Sequence, residues 1–68
     1  MRVTVNGEKM VFEYASLTVA KTLDLLNIAG ETGIAVELNG VIVRAEDRAK
    51  TVLKDGDALE IVSFVGGG

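Results

Sequence analysis

The sequence predicts an α+β domain in which a mixed sheet of four to five strands packs one face against a single helix. Several short segments alternate apolar and polar residues, the pattern of half-buried strands, whereas one segment repeats apolar residues at helical spacing. The dipeptide Asn-Gly occurs twice between such segments, where it is the strongest short signal for a hairpin turn. With 68 residues and 49% hydrophobic content, the chain has room for one domain with one small core.

The chain is expected to open with a β-hairpin. Residues 1–5 alternate apolar and polar side chains, and Asn6-Gly7 suits a type I′ turn, in which both central residues need positive φ. Residues 8–14 then form the returning strand. Its core face is expected to carry three large side chains: Met10, Phe12 and Tyr14.

A single helix is predicted from Val19 to about Asn27 or Ile28. Thr18 is a plausible N-cap, because its hydroxyl can accept a hydrogen bond from an otherwise unpaired backbone N–H, and Ser16 is the alternative. Apolar residues at i, i+4 and i+7 form one face of this helix: Val19, Leu23 and Leu26. This stripe is interpreted as core packing rather than as a groove for a partner.

A second hairpin is predicted in the other half of the chain. Residues 34–38 alternate, Asn39-Gly40 provides the turn, and residues 41–43 form a short returning strand. Residues 44–51 are polar and unpatterned, which favours a connection with one helical turn. Val52 and Leu53 are expected to anchor this connection to the core.

The last strand is expected to organise the sheet. Residues 59–65 are rich in β-branched and aromatic residues and follow the turn at Asp55-Gly56. This strand is expected to lie between the opening strand and the strand at 34–38, parallel to the first. The core is expected to contain the inward residues of all these elements: Val3, Val5, Met10, Phe12, Val19, Leu23, Leu26, Val36, Leu38, Leu59 and Ile61.

The outward face of the last strand is predicted to dock a partner. If Leu59 and Ile61 point inward, alternation places their neighbours on the open face of the sheet. The expected contact residues are Glu60, Val62, Phe64 and Val65. The alternative is that another layer of the same chain covers them.

Three glycines follow the last strand, so the chain divides into a domain at 1–65 and a flexible tail at 66–68. One interpretation is a frayed terminus. The other is an arm that carries an α-carboxylate into the active site of another protein, because glycine lets a backbone approach a ligand closely.

The composition argues against several classes of function. The chain contains no His and no Cys, which removes thiol nucleophiles, imidazole acid–base pairs and Cys/His metal sites, and an enzyme is not expected. The net charge is −3 and the basic residues are scattered, so nucleic-acid binding is not expected. No apolar run approaches the roughly 18–20 residues that span a bilayer, and no membrane association is expected. The protein is predicted to be cytoplasmic.

The run at residues 55–65, followed by the glycines and preceded by Leu38-Asn39-Gly40, resembles the thiamin-biosynthesis sulfur carrier proteins of the ubiquitin-like β-grasp superfamily. More distantly it is similar to the small subunit of molybdopterin synthase and to ubiquitin. The resemblance covers the whole chain in length and element order. Family members commonly carry a Pro-Arg pair after the fourth strand and often a Trp soon after it. Here Val43 precedes Arg44, and the chain has neither Pro nor Trp.

The resemblance implies a mechanism as well as a β-grasp fold. An adenylating, E1-like enzyme would use ATP and Mg²⁺ to activate the carboxylate of Gly68, while Gly66 and Gly67 thread the tail into its active site. Sulfur from a cysteine desulfurase relay would then give a thiocarboxylate, which is delivered to a thiazole synthase. The carrier itself would bind no cofactor.

Three other functions stay open at this point. The sulfur acceptor could be molybdopterin or another molecule. The chain could instead be a protein modifier that forms isopeptide bonds through Gly68, or a plain interaction domain whose glycines have no chemical role.

Overall fold

The computed structural model describes residues 1–28 and 33–64. The elements in chain order are β1 (Arg2–Val5), β2 (Glu8–Val11), α1 (Val19–Leu25), β3 (Ile34–Leu38), β4 (Val41–Val43), a 3₁₀ turn (Ala45–Asp47) and β5 (Ala58–Ser63). The strands form one sheet in the order β2-β1-β5-β3-β4. β5 is parallel to β1 and antiparallel to β3, which is the predicted β-grasp arrangement.

Both Asn-Gly turns have the predicted conformation. Asn6 and Gly7 have φ angles of 51° and 84°, and Asn39 and Gly40 have φ angles of 51° and 86°. Positive φ at both central positions is the requirement of a type I′ turn, whose twist matches that of the flanking strands. The two hairpins therefore form from strictly local signals.

The helix begins where the sequence predicts and ends earlier. Thr18 is its N-cap, and its Oγ1 accepts a hydrogen bond from the backbone N–H of Lys21 at 3.1 Å. Asn27 adopts a left-handed φ of 58°, and the N–H of Ile28 donates to the carbonyl of Leu23 at 3.0 Å. This is a Schellman-type end, which satisfies the last carbonyls and stops the helix at Leu25.

The core contains most of the expected residues and three others. Six expected residues are buried: Val3, Val5, Val19, Leu23, Val36 and Leu59. The other five are partly buried and pack against them: Met10, Phe12, Leu26, Leu38 and Ile61. Leu53 is buried as well, as expected for the anchor of its connection, whereas the burial of Leu17 and Val43 was not predicted. The core therefore contains more residues than the predicted helical stripe and the inward strand positions alone.

The connection after the second hairpin explains two of these additions. It runs antiparallel to the segment before the helix, with a bridge between Thr18 and Val52 and a 2.8 Å hydrogen bond from the Leu53 N–H to the Leu17 carbonyl. Leu17 and Leu53 consequently point inward together. The prediction for Leu53 is confirmed, but that for Val52 is wrong, because alternation turns it outward to 57% exposure.

The returning strand of the first hairpin is shorter than predicted. β2 ends at Val11, and the N–H of Phe12 donates to the Met1 carbonyl at 2.8 Å. Residues beyond Phe12 have no opposite partner on β1, so the pairing stops there. Tyr14 is exposed rather than packed on the core face, which corrects the expectation for it.

Candidate functional site

The outward face of β5 is exposed, as alternation predicts. Leu59 is completely buried, whereas its neighbour Glu60 is exposed and Val62 is 54% exposed. Phe64 follows the strand and is 71% exposed. No other layer of the described residues covers these three side chains. A large aromatic ring and a β-branched side chain thus face solvent at the end of the central strand.

The neighbouring strands extend this face on both sides. Val62 lies opposite Ala35, and Glu60 lies opposite Glu37, which in turn pairs with Ile42 on β4. Ile42 is 65% exposed, and Val11 at the opposite edge of the sheet is also exposed. The face therefore combines scattered apolar side chains with two adjacent carboxylates at its centre. Val62 and Phe64 are the exposed apolar side chains at the end of β5, and this strand end is the candidate protein-interaction surface.

The strand end is anchored to β3 as far as Phe64. Ser63 lies opposite Ile34, and the N–H of Phe64 donates to the Gly33 carbonyl at 2.7 Å. The predicted docking residue Val65 and the predicted reactive tail, Gly66, Gly67 and Gly68, lie outside the described residues. The structure consequently describes the surface that leads to the tail.

Two asparagines hold opposite ends of β5, a role that the sequence patterns did not predict. Asn6 Oδ1 accepts from the Ile61 N–H at 2.7 Å, and Asn6 Nδ2 donates to the Ile61 carbonyl at 3.2 Å. At the start of the strand, Asn39 Oδ1 accepts from the Ala58 N–H at 2.9 Å. Sequence reasoning treated both residues only as turn formers. Glycine at the first turn position would also satisfy a type I′ turn. The presence of asparagine there was therefore the signal that could have indicated a hydrogen-bonding role for its side-chain amide.

The acidic residues before β5 build its entry turn. Asp57 is buried; its Oδ2 accepts from the Lys54 N–H at 2.7 Å and its Oδ1 from Asn39 Nδ2 at 3.0 Å. Asp55 Oδ1 accepts from the Arg2 N–H at 2.6 Å. These two carboxylates are used in local hydrogen bonds. The Asp-Gly-Asp sequence therefore fixes where β5 begins.

The described residues provide neither an acidic cluster for a metal ion nor a helix that could span a membrane. Among residues 1–28 and 33–64, no three acidic side chains are grouped so that they could hold a metal ion. In those same ranges no helix is long and apolar enough to cross a membrane. The features that remain for function are the exposed face of β5 and the way its end is held.

Comparison with known proteins agrees with this architecture. The profile of the ThiS family matches residues 2–68. A crystal structure of a thiamine biosynthesis protein (ThiS) from Geobacter metallireducens is 42% identical, covers all of both chains and superimposes with a TM-score of 0.85. An NMR solution structure of a thiamine biosynthesis protein from the same organism is 42% identical, covers this chain fully and 88% of that chain, and gives a TM-score of 0.84.

A curated relative from Paramagnetospirillum magneticum, named thiazole synthase, is 43% identical over 68 residues. The match covers the whole of this chain but only 20% of that protein, so this chain spans a fifth of its relative's length. The profile match covers nearly the entire sequence, and the solved structures agree with it in both fold and length. The chain belongs to the ThiS family.

Proposed function

We propose that this protein is a sulfur carrier in thiamin biosynthesis, and that the Gly68 carboxylate is adenylated and then converted to a thiocarboxylate. Membership of the ThiS family supports the role. One structural observation supports the delivery of the tail to a partner. The central strand β5 is hydrogen-bonded on both sides and is followed by exposed Phe64, directly ahead of residues 65–68. A rigid domain with an exposed contact residue next to its glycines is suited to deliver those glycines to another protein.

The proposed chemistry follows from the properties of a carboxylate. An α-carboxyl group, with an ordinary pKa of about 3.3–3.7, is ionised at neutral pH and resists attack by a nucleophile. Formation of an acyl-adenylate releases pyrophosphate and turns one oxygen into part of a good leaving group, AMP. A persulfide from the relay can then attack the acyl carbon and displace AMP, and a thiol, as two-electron reductant, cleaves the S–S bond of the resulting acyl disulfide to leave the thiocarboxylate. The carrier contributes position rather than catalytic groups, in accord with a sequence that has no His and no Cys.

The partners in this proposal supply everything else. An E1-like adenylating enzyme binds ATP and Mg²⁺, a cysteine desulfurase relay provides sulfur, and a thiazole synthase accepts it, all in the cytoplasm. The relative named thiazole synthase supports the last partner, because it contains a segment 43% identical to this chain within a much longer polypeptide. Two activities in one polypeptide meet at high effective concentration, which is useful when one delivers a group to the other.

The docking surface for these partners is proposed to be Glu60, Val62, Phe64 and Val65. Its apolar members provide the desolvated contact area that dominates binding energy in protein interfaces. Gly66 and Gly67 are proposed to thread the tail into a channel with no space for a Cβ. The docking surface would then set where the tail enters, and the tail would carry the reactive group.

The decisive experiment measures activation and its product. The proposal requires Gly68 to carry a free carboxylate in the working protein, so intact mass of the protein from its own cell is the first measurement. ATP–pyrophosphate exchange with the cognate adenylating enzyme then reports adenylation. After addition of the sulfur relay, the mass should rise by the replacement of one oxygen by one sulfur. A chain lacking Gly68 is the matched control and should show neither exchange nor mass gain.

Other outcomes of the same experiment identify the alternatives. A sulfurated chain that supplies molybdopterin but not thiazole would assign the other acceptor. A conjugate to lysine would show a protein modifier. A chain that is neither activated nor modified would contradict the carrier proposal.

A further inference from the structure

We propose that Asn6 is a positioning residue whose side-chain amide fixes the end of β5 and thereby the direction in which the tail leaves the domain. This inference rests on the proposed function, because it assigns Asn6 a part in presenting the reactive end. Asn6 makes three hydrogen bonds to β5. Its backbone N–H donates to the Leu59 carbonyl at 2.9 Å, and its side chain pairs with both backbone groups of Ile61 at 2.7 Å and 3.2 Å.

The side chain is needed because the main chain turns away at this point. β1 ends at Val5, and the φ of 51° at Asn6 directs the backbone into the hairpin turn. Had β1 continued in parallel, its main chain would have supplied one C=O for the Ile61 N–H and one N–H for the Ile61 carbonyl. The carboxamide of Asn6 offers the same two groups in a plane, so it acts as a substitute for a peptide unit. Pairing on this side of β5 consequently extends from Leu59 to Ile61.

Ile61 lies immediately before the exposed residues of the strand end. Beyond it, Val62 lies opposite Ala35 on β3, and the N–H of Phe64 donates to the Gly33 carbonyl. Without the Asn6 amide, the described segment after Leu59 would be paired mainly with β3. A strand end held from one side opens more readily than one held from both. The position of Phe64, which the tail follows, would then vary, and small errors in the position of a reacting group strongly reduce reaction rates.

The second Asn-Gly turn provides a matched control. Asn39 has the same φ of 51° and the same following glycine, and its side chain accepts from the Ala58 N–H at 2.9 Å. Its amide oxygen therefore also holds β5, at the beginning of the strand, while its Nδ2 donates to Asp57 Oδ1 at 3.0 Å. Both asparagines tolerate replacement by glycine in a type I′ turn. Asn6→Gly and Asn39→Gly thus remove one side-chain amide each at opposite ends of β5.

Amide hydrogen exchange by NMR on the isolated 68-residue chain tests the local role. In Asn6→Gly, the exchange rate of the Ile61 amide should increase roughly five- to tenfold. This factor corresponds to the net contribution that one hydrogen bond makes to stability. Leu59 should change by less than about twofold, since its protection belongs to the main-chain ladder. Asn6→Asp keeps an acceptor for the Ile61 N–H but replaces the donor to the Ile61 carbonyl by a carboxylate oxygen, so its exchange rate at Ile61 should lie between those of the wild type and Asn6→Gly.

Activation kinetics test the positioning role. With the cognate adenylating enzyme, Asn6→Gly should lower kcat of pyrophosphate exchange roughly tenfold, with KM changed by less than about threefold, because docking is retained while the tail is misplaced. Asn6→Asp should recover part of kcat. Asn39→Gly should keep the wild-type kcat. An unchanged kcat in Asn6→Gly, or an equal loss in Asn39→Gly, would overturn the positioning role.

The result for the wild-type chain separates this inference from the proposed function. If the wild type is not activated, the proposed function fails and the positioning role fails with it. If the wild type is activated and Asn6→Gly is activated equally well, only the positioning role is overturned. If Asn6→Gly is impaired and its exchange at Ile61 is unchanged, the explanation through the strand end is wrong.

Discussion

Glu37 and Glu60 lie directly opposite each other on adjacent antiparallel strands, at the centre of the open face of the sheet. Like charges in this arrangement repel and lower the stability of a strand pair. The salt bridges that the structure gives, Arg44 with Glu46 and Lys50 with Asp47, lie elsewhere. The free protein consequently holds two carboxylates together on the surface that we propose for docking.

Replacement of one of these carboxylates should stabilise the domain. We expect Glu37→Gln to raise the free energy of unfolding by about 0.2–1 kcal/mol, the range for a directly opposed charge pair. The gain should shrink at high salt, which screens exposed charges. Urea denaturation at low and high salt measures both effects. Glu13→Gln, at an exposed position outside the strands, is the control, and an equal gain there would point to net charge instead of the pair.

Phe64 should matter for binding far more than for folding. Its ring is 71% exposed, so Phe64→Ala should leave the melting temperature nearly unchanged. If it is an anchor of the docking surface, affinity for the adenylating enzyme should fall by more than about 1 kcal/mol, as for hot-spot residues in other interfaces. Calorimetric titration provides the affinity. Val52→Ala removes another exposed apolar group away from this face and should bind normally.

Two leucines on the same helix should differ sharply in their effect on stability. Leu23 is 7% exposed and belongs to the core, whereas Leu25 is 36% exposed. Leu23→Ala should cost about 2–5 kcal/mol through lost burial and the cavity left behind. Leu25→Ala should cost clearly less, and both values come from chemical denaturation. Equal costs would contradict the assignment of the buried helix face.

The tail should not tolerate a side chain at Gly67. In the proposed mechanism Gly67 passes through a channel shaped for glycine, so Gly67→Val should abolish adenylation without affecting folding. Circular dichroism checks the fold and pyrophosphate exchange checks the activity. Removal of Gly68 should also abolish activation, since it leaves the carboxylate one residue short, roughly 3.5 Å. Normal activation of either variant would be incompatible with a threaded tail.

Local signals explain which parts of the fold could be predicted from the sequence. Strands β3 and β4 have the predicted limits, and Thr18 caps the helix as expected, because alternation, Asn-Gly turns and capping depend on neighbouring residues. These features are encoded within a few residues of where they act. The strand order was also predicted correctly, from the order of the elements and the need to bury one helical stripe against one sheet face.

Apart from the local left-handed turn at Asn27 that ends the helix early, the main unpredicted features depend on tertiary pairing. Leu17 is buried because Leu53 pairs with its segment, and Asn6 holds Ile61 across 55 positions of the chain. Tyr14 is exposed because β1 offers no partner opposite it. The candidate face was predicted by alternation alone, but the hydrogen bonds that hold its strand depend on how the two hairpins are placed around β5.

The central position of β5 also determines when the domain can fold during its synthesis. During synthesis the hairpins β1–β2 and β3–β4 emerge first, yet each lacks its inner neighbour until β5 is made. Contacts between the two ends of a chain close late, because their formation carries a large loop entropy cost. A nascent chain therefore cannot complete its sheet before the segment next to the glycines has left the ribosome. If the open face of β5 docks partners as proposed, a chain without β5 would present no folded docking surface to them.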